Sequence, residues 1–375
     1  VLGTGRSGSN ALALAGRRSA TGQPWLAGDP HLSLSLPGLW LAAAYRSPSC
    51  HVAGLMIPGI PVMAIGRNRW IAWGGANLHA ASSELFDVGA LPPQQIEERR
   101  VRLKVRWSRD REIVLRNTRL GPIVSDAALF GGGRGGPPIA LGWIGHAPSD
   151  EISALLAINR ARDWDSFRRA ADGIAVPGQI LVYADAAGRI GRLIAAWLPR
   201  RPPGPPADLV SPPAAAAAWT GRVGAALLPA ESDPPGGFVV AANERPPPAP
   251  VPIGWFFAPE DRVRRLAWLL GNDAALGFAE LARVQRDVAA PAALALRDRL
   301  CAAADGPARS GALFDALLGW DGVYGADSAG ALAFELVLAR IAAAAIPPER
   351  RAVYSAVWHG GRLVETELDA VAPQQ

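Results

Sequence analysis

Ser9 stands between Gly8 and Asn10, and His31 follows in the run Gly28-Asp29-Pro30-His31-Leu32. A serine hydroxyl is a weak nucleophile until a base takes its proton, and a free α-amine on the same residue is one such base. Cutting the chain between Gly8 and Ser9 would create that pair. The amine, with an ordinary pKa of about 7.7–8.0, accepts a proton near neutrality. Such a residue is equipped for acyl transfer through an ester, and glycine before the cut crowds the attacked carbonyl least. By themselves, Gly8, Ser9 and Asn10 describe a polar turn before a strand rather than a catalytic pair, and His31 an imidazole satisfied by backbone.

Periodicity gives the elements that must position these groups. Residues 10–15 alternate large and small apolar side chains and read as a buried strand. A polar turn over 16–22 leads to a second short strand over 24–27, forming a hairpin that ends where Pro30 fixes a turn. A hairpin of this length returns His31 to the neighbourhood of Ser9. Residues 39–53 read as sheet and an inner helix, and 52–68 as strand-like runs separated by Pro-Gly turns. The strict alternation over 100–106 predicts a half-exposed strand with its basic residues in solvent. A flexible loop is expected over 131–138 and a helical pattern over 152–171. Residues 180–190 read as two strands about a turn, 199–213 as a stiff surface excursion, and 236–243 as a buried strand ending in Asn243. From 261 to about 345 the pattern is helical, and 352–358 returns to strand-like alternation.

Composition narrows the function class. Of 375 residues, 50% are hydrophobic and 19% charged, enough for a large core and too apolar for a disordered chain. The 38 basic against 33 acidic residues give a net charge of +5, mostly arginine, with no basic stripe carrying interleaved aromatics, which argues against nucleic acid. No run of about 18 apolar residues is present to span a membrane. The histidines at 31, 51, 79, 146 and 359 show no i,i+4 pair, against a metallohydrolase. Cys50 and Cys301 lack metal-ligand spacing; they read as two buried thiols, with a single disulfide as the alternative.

The order of motifs is more specific than any one of them. After Ser9 come Gly28-Asp29-Pro30-His31-Leu32, the apolar Pro-Gly run of 52–61 and Ile65-Gly66-Arg67-Asn68. Ile71-Ala72-Trp73-Gly74, Ala241-Ala242-Asn243 and Asp261-Arg262 follow. Collinear over most of residues 8–335, these blocks resemble the β subunit of the penicillin acylase family of N-terminal nucleophile hydrolases. The resemblance implies an α+β fold, a four-layer αββα sandwich with a helical insertion, represented incompletely. Residues 1–8 would be the end of a spacer, 9–258 the core, 259–346 the insertion, and 347–375 a return strand in a truncated C-terminal part.

The resemblance also implies roles. Gly8-Ser9 would be the site of self-cleavage, and Ser9 the nucleophile that opens the amide of a small N-acyl compound, such as a β-lactam side chain or an acyl-homoserine lactone. His31 would orient it, while the backbone N–H of Asn77 and the side-chain amide of Asn243 would hold the oxyanion. Arg262 would hold the asparagine and the amine in place and lower the amine pKa. Leu32, Ile65 and Gly75 would line the acyl pocket, their aliphatic and small character favouring an aliphatic over a phenylacetyl group. The partner would be an α-subunit-type chain from the same precursor, in the periplasm or secreted. No cofactor is required. A calcium site would rest on acidic residues at 81 and 84; Ala81 removes one and leaves Glu84, weakening a site that needs 6–8 oxygens. Glu244 stands where a second asparagine is common and Arg67 where histidine is. The alternative reading is a catalytically inactive fragment or structural subunit that keeps the fold without its partner chain.

Overall fold

Alanines at 11, 13 and 15 let strand β1 (Gly8–Leu14) lie close against a second sheet, while Leu12 and Leu14 are buried on its other face. The computed structural model describes residues 8–32, 35–127, 136–201, 210–271 and 275–345. The expectations for 1–7, for the return strand beyond 346, and for parts of the 131–138 and 199–213 segments lie outside them. Two compact units result: one built from 8–30 with the described residues of 35–258, the other from those of 259–345 with 31–32.

In the larger unit, β1 is the middle strand of a three-stranded sheet, between β2 (Trp25–His31, its residues 25–30 belonging to this unit) and the strand Phe238–Ala241. The strand thus runs through Pro30 to His31 rather than ending in a turn before it. Arg17 and Arg18 fasten the turn after β1, donating to the carbonyls of Pro235 and Gly236 at 2.7 Å each. The facing sheet has seven strands. It contains β3 (Leu41–Arg46), β4 (His51–Met56), β5 (Ile65–Arg67) and β6 (Ile71–Asn77), joined by Gln179–Asp185, Ile190–Ala195 and Ala230–Ser232. Gln179–Asp185 and Ile190–Ala195 form the expected hairpin. No inner helix forms over 39–53; Ala42, Ala43 and Ala44 are paired to Leu55, Gly54 and Ala53 across β3 and β4 instead. Between the two sheets lies a core that includes Ala11, Ala76, Ile180, Val182, Ile194 and Val239.

The outer face of the seven-stranded sheet is covered by two helices, α1 (Glu151–Arg160) and α2 (Trp164–Ala171). One continuous helical pattern is broken here by a capping box: the Asp163 carboxylate accepts the Ser166 N–H at 2.8 Å while Ser166 Oγ accepts the Asp163 N–H at 3.2 Å. Trp164, Phe167 and Tyr183 stack beneath, with ring centroids 5.0 to 6.1 Å apart. Asn159 closes two bonds on the Met63 backbone and so fixes α1 to the sheet. Helix pair, seven-stranded sheet and three-stranded sheet make three of the layers of an α+β sandwich.

A satellite hairpin, Glu97–Leu103 against Arg111–Thr118, carries the first part of the basic run, which leaves the strand after Leu103; Arg100 and Arg102 pair with Glu112 and Asp110 on its exposed surface. The smaller unit contains five helices among its described residues: α3 (Asp261–Leu270), α4 (Phe278–Gln285), α5 (Pro291–Ala303), α6 (Ala312–Leu318) and α7 (Ala329–Ala345). Of these, α5, α6 and α7 enclose a core around Leu300, Trp320 and Phe334. Cys301 is buried there; Cys50 is half-buried on the sheet, and both are free thiols.

Candidate active site

Strand alternation places Ser9 on the same face of β1 as Ala11 and Ala13, the face turned toward the seven-stranded sheet. The neighbouring strand pairs Ala241 with Ala11 and Val240 with Leu12, a register that sets residue 243 opposite residue 9. Asn243 duly meets Ser9: its Oδ1 accepts the Ser9 backbone N–H at 2.7 Å. Its Nδ2 donates to the carbonyl oxygen of Asn77, the last residue of β6, at 2.7 Å. An N–H on one side and a C=O on the other fix which end of the carboxamide is oxygen. Ser9 is 5% exposed and Asn243 2%, so this bridge is shielded from water.

Two further details bear on chemistry. The Ser9 hydroxyl donates to the Gly8 carbonyl oxygen at 2.6 Å, against the peptide group that a cut before Ser9 would break. Just past β6, Leu78 N–H bonds Gly178 O, so alternation turns the N–H and C=O of Asn77 away from that partner, toward the edge where Asn243 sits.

Asn243 has φ of +64°, the left-handed region that asparagine tolerates better than most residues. The backbone on both sides of it is held. Ala258 N–H donates to the Asn243 carbonyl at 3.0 Å, and Ala242 N–H donates to Glu244 Oε2 at 2.6 Å. Glu244 Oε1 in turn accepts from Arg192 at 3.1 Å, and the same guanidinium nitrogen reaches the Val240 carbonyl at 2.9 Å. Glu244 and Arg192 are therefore structural supports of the asparagine turn.

The remaining expected residues divide between the units. Gly8, Ser9, Asn77 and Asn243 come together as described. His31 and Leu32 fall in the smaller unit, as does Arg262, in the first turn of α3. Gly75 shares the parity of Trp73, on the helix-covered face, and a Cβ there would lie 2.4 Å from the Ile180 carbonyl oxygen. The glycine on the Ser9 side is Gly74, where a Cβ would meet side chains only, 3.2 Å from Leu26, which must give slightly, and 3.7 Å from Ile65. With Gly28, whose Cβ would lie 3.9 Å from Ile65, these residues gather an aliphatic patch. Leu26 lies in none of the motifs and Gly74 only closes the Ile71–Gly74 block, although counting by twos from buried Trp73 marks Gly74 as facing the other sheet.

Glu84, the expected calcium ligand, has its carboxylate taken. Oε1 accepts from Ser211 at 2.5 Å, and Oε2 accepts from Arg201 and from Trp219 Nε1 at 3.1 Å each. Arg201 also donates to the carbonyl oxygen of Ala81. Burial draws the Arg201 guanidinium below its ordinary pKa, while the charge of Glu84 and its hydrogen bond oppose the shift. Among the described residues, no group of three His, Cys, Asp or Glu side chains could hold a metal ion. Residues 81 and 84 therefore do not fit calcium here.

The structure superposes with a TM-score of 0.74 on the thermostable penicillin G acylase from Alcaligenes faecalis, covering 92% of this chain and 67% of that one at 22% identity. Penicillin acylase 2 proenzyme of a Pseudomonas species is 29% identical over 347 residues, 87% of this chain and 44% of the relative. Acyl-homoserine lactone acylase QuiP of Pseudomonas aeruginosa is 26% identical over 311 residues, 76% of this chain and 36% of the relative. The chain thus spans less than half the length of these sequence relatives. The penicillin amidase family pattern matches residues 3–372, nearly the whole sequence, and the chain belongs to that family.

Proposed function

We propose that this chain carries the nucleophile of an amidohydrolase that opens the amide bond of a small N-acyl compound. The observation that carries the reading is the Asn243 carboxamide, which ties the Ser9 nitrogen to the end of β6 at two distances of 2.7 Å. In the first stage Ser9 Oγ attacks the Gly8 carbonyl carbon, and the peptide C–N bond breaks as the nitrogen gains a proton. Water then hydrolyses the resulting ester, leaving a Gly8 carboxylate and a free Ser9 amine. In the second stage that amine takes the hydroxyl proton, Oγ attacks the substrate carbonyl, and the leaving nitrogen receives the proton. The Asn77 N–H and the Asn243 amide are the donors assigned to the oxyanion, each contribution of this kind being worth about 3–4 kcal/mol. Water finally releases the acyl group from Ser9.

Support comes from the family and from the names of its relatives, one described as a proenzyme and others as acyl-homoserine lactone acylases. The orienting roles of His31 and Arg262, the partner chain from the same precursor and a place outside the cytoplasm rest on sequence resemblance. The aliphatic patch of Leu26, Ile65 and Gly74 supports an aliphatic acyl group. Intact-mass measurement of the purified precursor tests the first stage, the expected product beginning at Ser9. Incubation with a serine-directed acylating reagent, with the α-type chain supplied, should then add one group to Ser9. A chain that stays uncut and unlabelled under native conditions refutes the proposal and favours the non-catalytic reading.

A further inference from the structure

The segment after Asn77 turns through residues 78–82 into the strand Ser83–Asp87, and a single buried side chain grips it. Arg201 reaches the Ala81 carbonyl with one guanidinium nitrogen and Glu84 Oε2 with the other, at 3.1 Å. The two side chains of the pair are 8% and 11% exposed. Ser211 and Trp219 supply the remaining donors to the carboxylate. This is the donor set of a small cation site, a backbone carbonyl and a carboxylate three residues apart, already neutralised by a guanidinium. A divalent ion entering here would have to displace a buried positive charge and the four hydrogen bonds made to the Ala81 carbonyl and the Glu84 carboxylate, with no group of three His, Cys, Asp or Glu side chains among the described residues to hold it.

We propose that Arg201 is a built-in cation that replaces a bound metal, so that this chain holds residues 81 and 84 without calcium. Arginine suits the task because its planar fork addresses two acceptors at once and its charge does not titrate in the working range. The replacement also accounts for alanine at 81: the guanidinium uses the main-chain oxygen there and has no need of an acidic side chain.

The inference stands apart from the hydrolytic reading, since its test needs no turnover. Thermal melts of the purified full-length protein are run with excess EDTA and with millimolar calcium chloride, beside a calorimetric titration with calcium. The expected result is an unchanged Tm and no binding heat. Arg201→Ala should lower Tm by roughly 8 °C or more, because it strands the Glu84 carboxylate in a buried site. Arg201→Lys, which keeps the charge but offers one compact donor group, should fall between the two. If Arg201→Ala does not fold, the lysine variant and the wild-type titration still decide. A wild-type Tm that rises with calcium and falls with EDTA overturns the proposal, as does an arginine variant that melts like wild type.

Discussion

The Oδ1 of Asn243 accepts the backbone N–H of Ser9 at 2.7 Å although 234 residues separate the two in sequence. The bond follows from strand pairing: Ala11 opposite Ala241 carries the register two residues further and brings 243 to 9. Because side chains alternate faces, a slip of one residue would turn Ser9 away from the seven-stranded sheet. The alanines between the sheets therefore help specify the site as well as the core.

Two substitutions separate the amide of Asn243 from its backbone. Asn243→Gly keeps access to φ of +64° and loses the carboxamide; Asn243→Ala loses both. Each should lower kcat about 10²–10³-fold, the usual effect of deleting an oxyanion donor. The alanine variant should in addition be less stable than the glycine one by about 1–2 kcal/mol, from the left-handed backbone. Steady-state kinetics and denaturant melts of the pair check this. Equal kcat in wild type and Asn243→Gly would remove the amide from the mechanism.

Ser9 variants address self-cleavage. Ser9→Ala removes the hydroxyl that lies 2.6 Å from the Gly8 carbonyl oxygen, and the chain should remain a single uncut species on mass analysis. Ser9→Cys retains a nucleophile and should still be cut, at a different rate, because a thiol can make the same shift to a thioester. Cleavage of Ser9→Ala at the same bond and rate would place the nucleophile elsewhere.

The local elements were legible where pattern and packing agree. The β1–β2 hairpin, the strand pair over 180–190 and the helices from 261 to 345 all follow apolar periodicity. The inner helix expected over 39–53 did not form, since alanine's helix propensity yields when Ala42–Ala44 can complete a sheet ladder. Asp163 and Ser166 did carry a readable stop signal, the capping box that splits 152–171 into two helices. What sequence could not supply was long-range neighbours. Arg201 meets Glu84 across 117 residues, and no spacing rule joins them. Gly75 was chosen by motif position, whereas strand parity marks Gly74 as the residue on the Ser9 side.

That difference is testable in the acyl patch. Gly75→Ala would set a Cβ 2.4 Å from the Ile180 carbonyl oxygen, a backbone clash that must move the strand. It should destabilise the protein by about 1–3 kcal/mol, the range for overpacking, for every substrate alike. Gly74→Ala meets only the Leu26 and Ile65 side chains, at 3.2 and 3.7 Å, and should fold almost normally. Its expected effect is on preference, a loss of kcat/KM for longer acyl chains relative to short ones. Comparing acyl amides of increasing length in both variants checks the assignment, and an unchanged profile in Gly74→Ala would remove that residue from the acyl pocket.

The support beneath Asn243 gives the last prediction. Arg192 Nη1 bonds both the Val240 carbonyl and Glu244, while Glu244 takes the Ala242 N–H with its other oxygen. Removing the cation alone, in Arg192→Ala, leaves a carboxylate that is 10% exposed with one backbone donor and no counter-charge. That should cost about 2–4 kcal/mol, since breaking one side of a largely buried pair is worse than lacking the pair. Arg192→Ala/Glu244→Gln should recover part of the loss, because a neutral amide can still accept from Ala242 without burying charge. The same coupling should appear in turnover: the single variant loosens the turn that holds Asn243 at positive φ, so kcat falls while KM changes little. Denaturant melts of the four members of the cycle, with kinetics alongside, measure both effects. Additive losses with no recovery in the double variant would show that the two side chains do not act together on the asparagine turn.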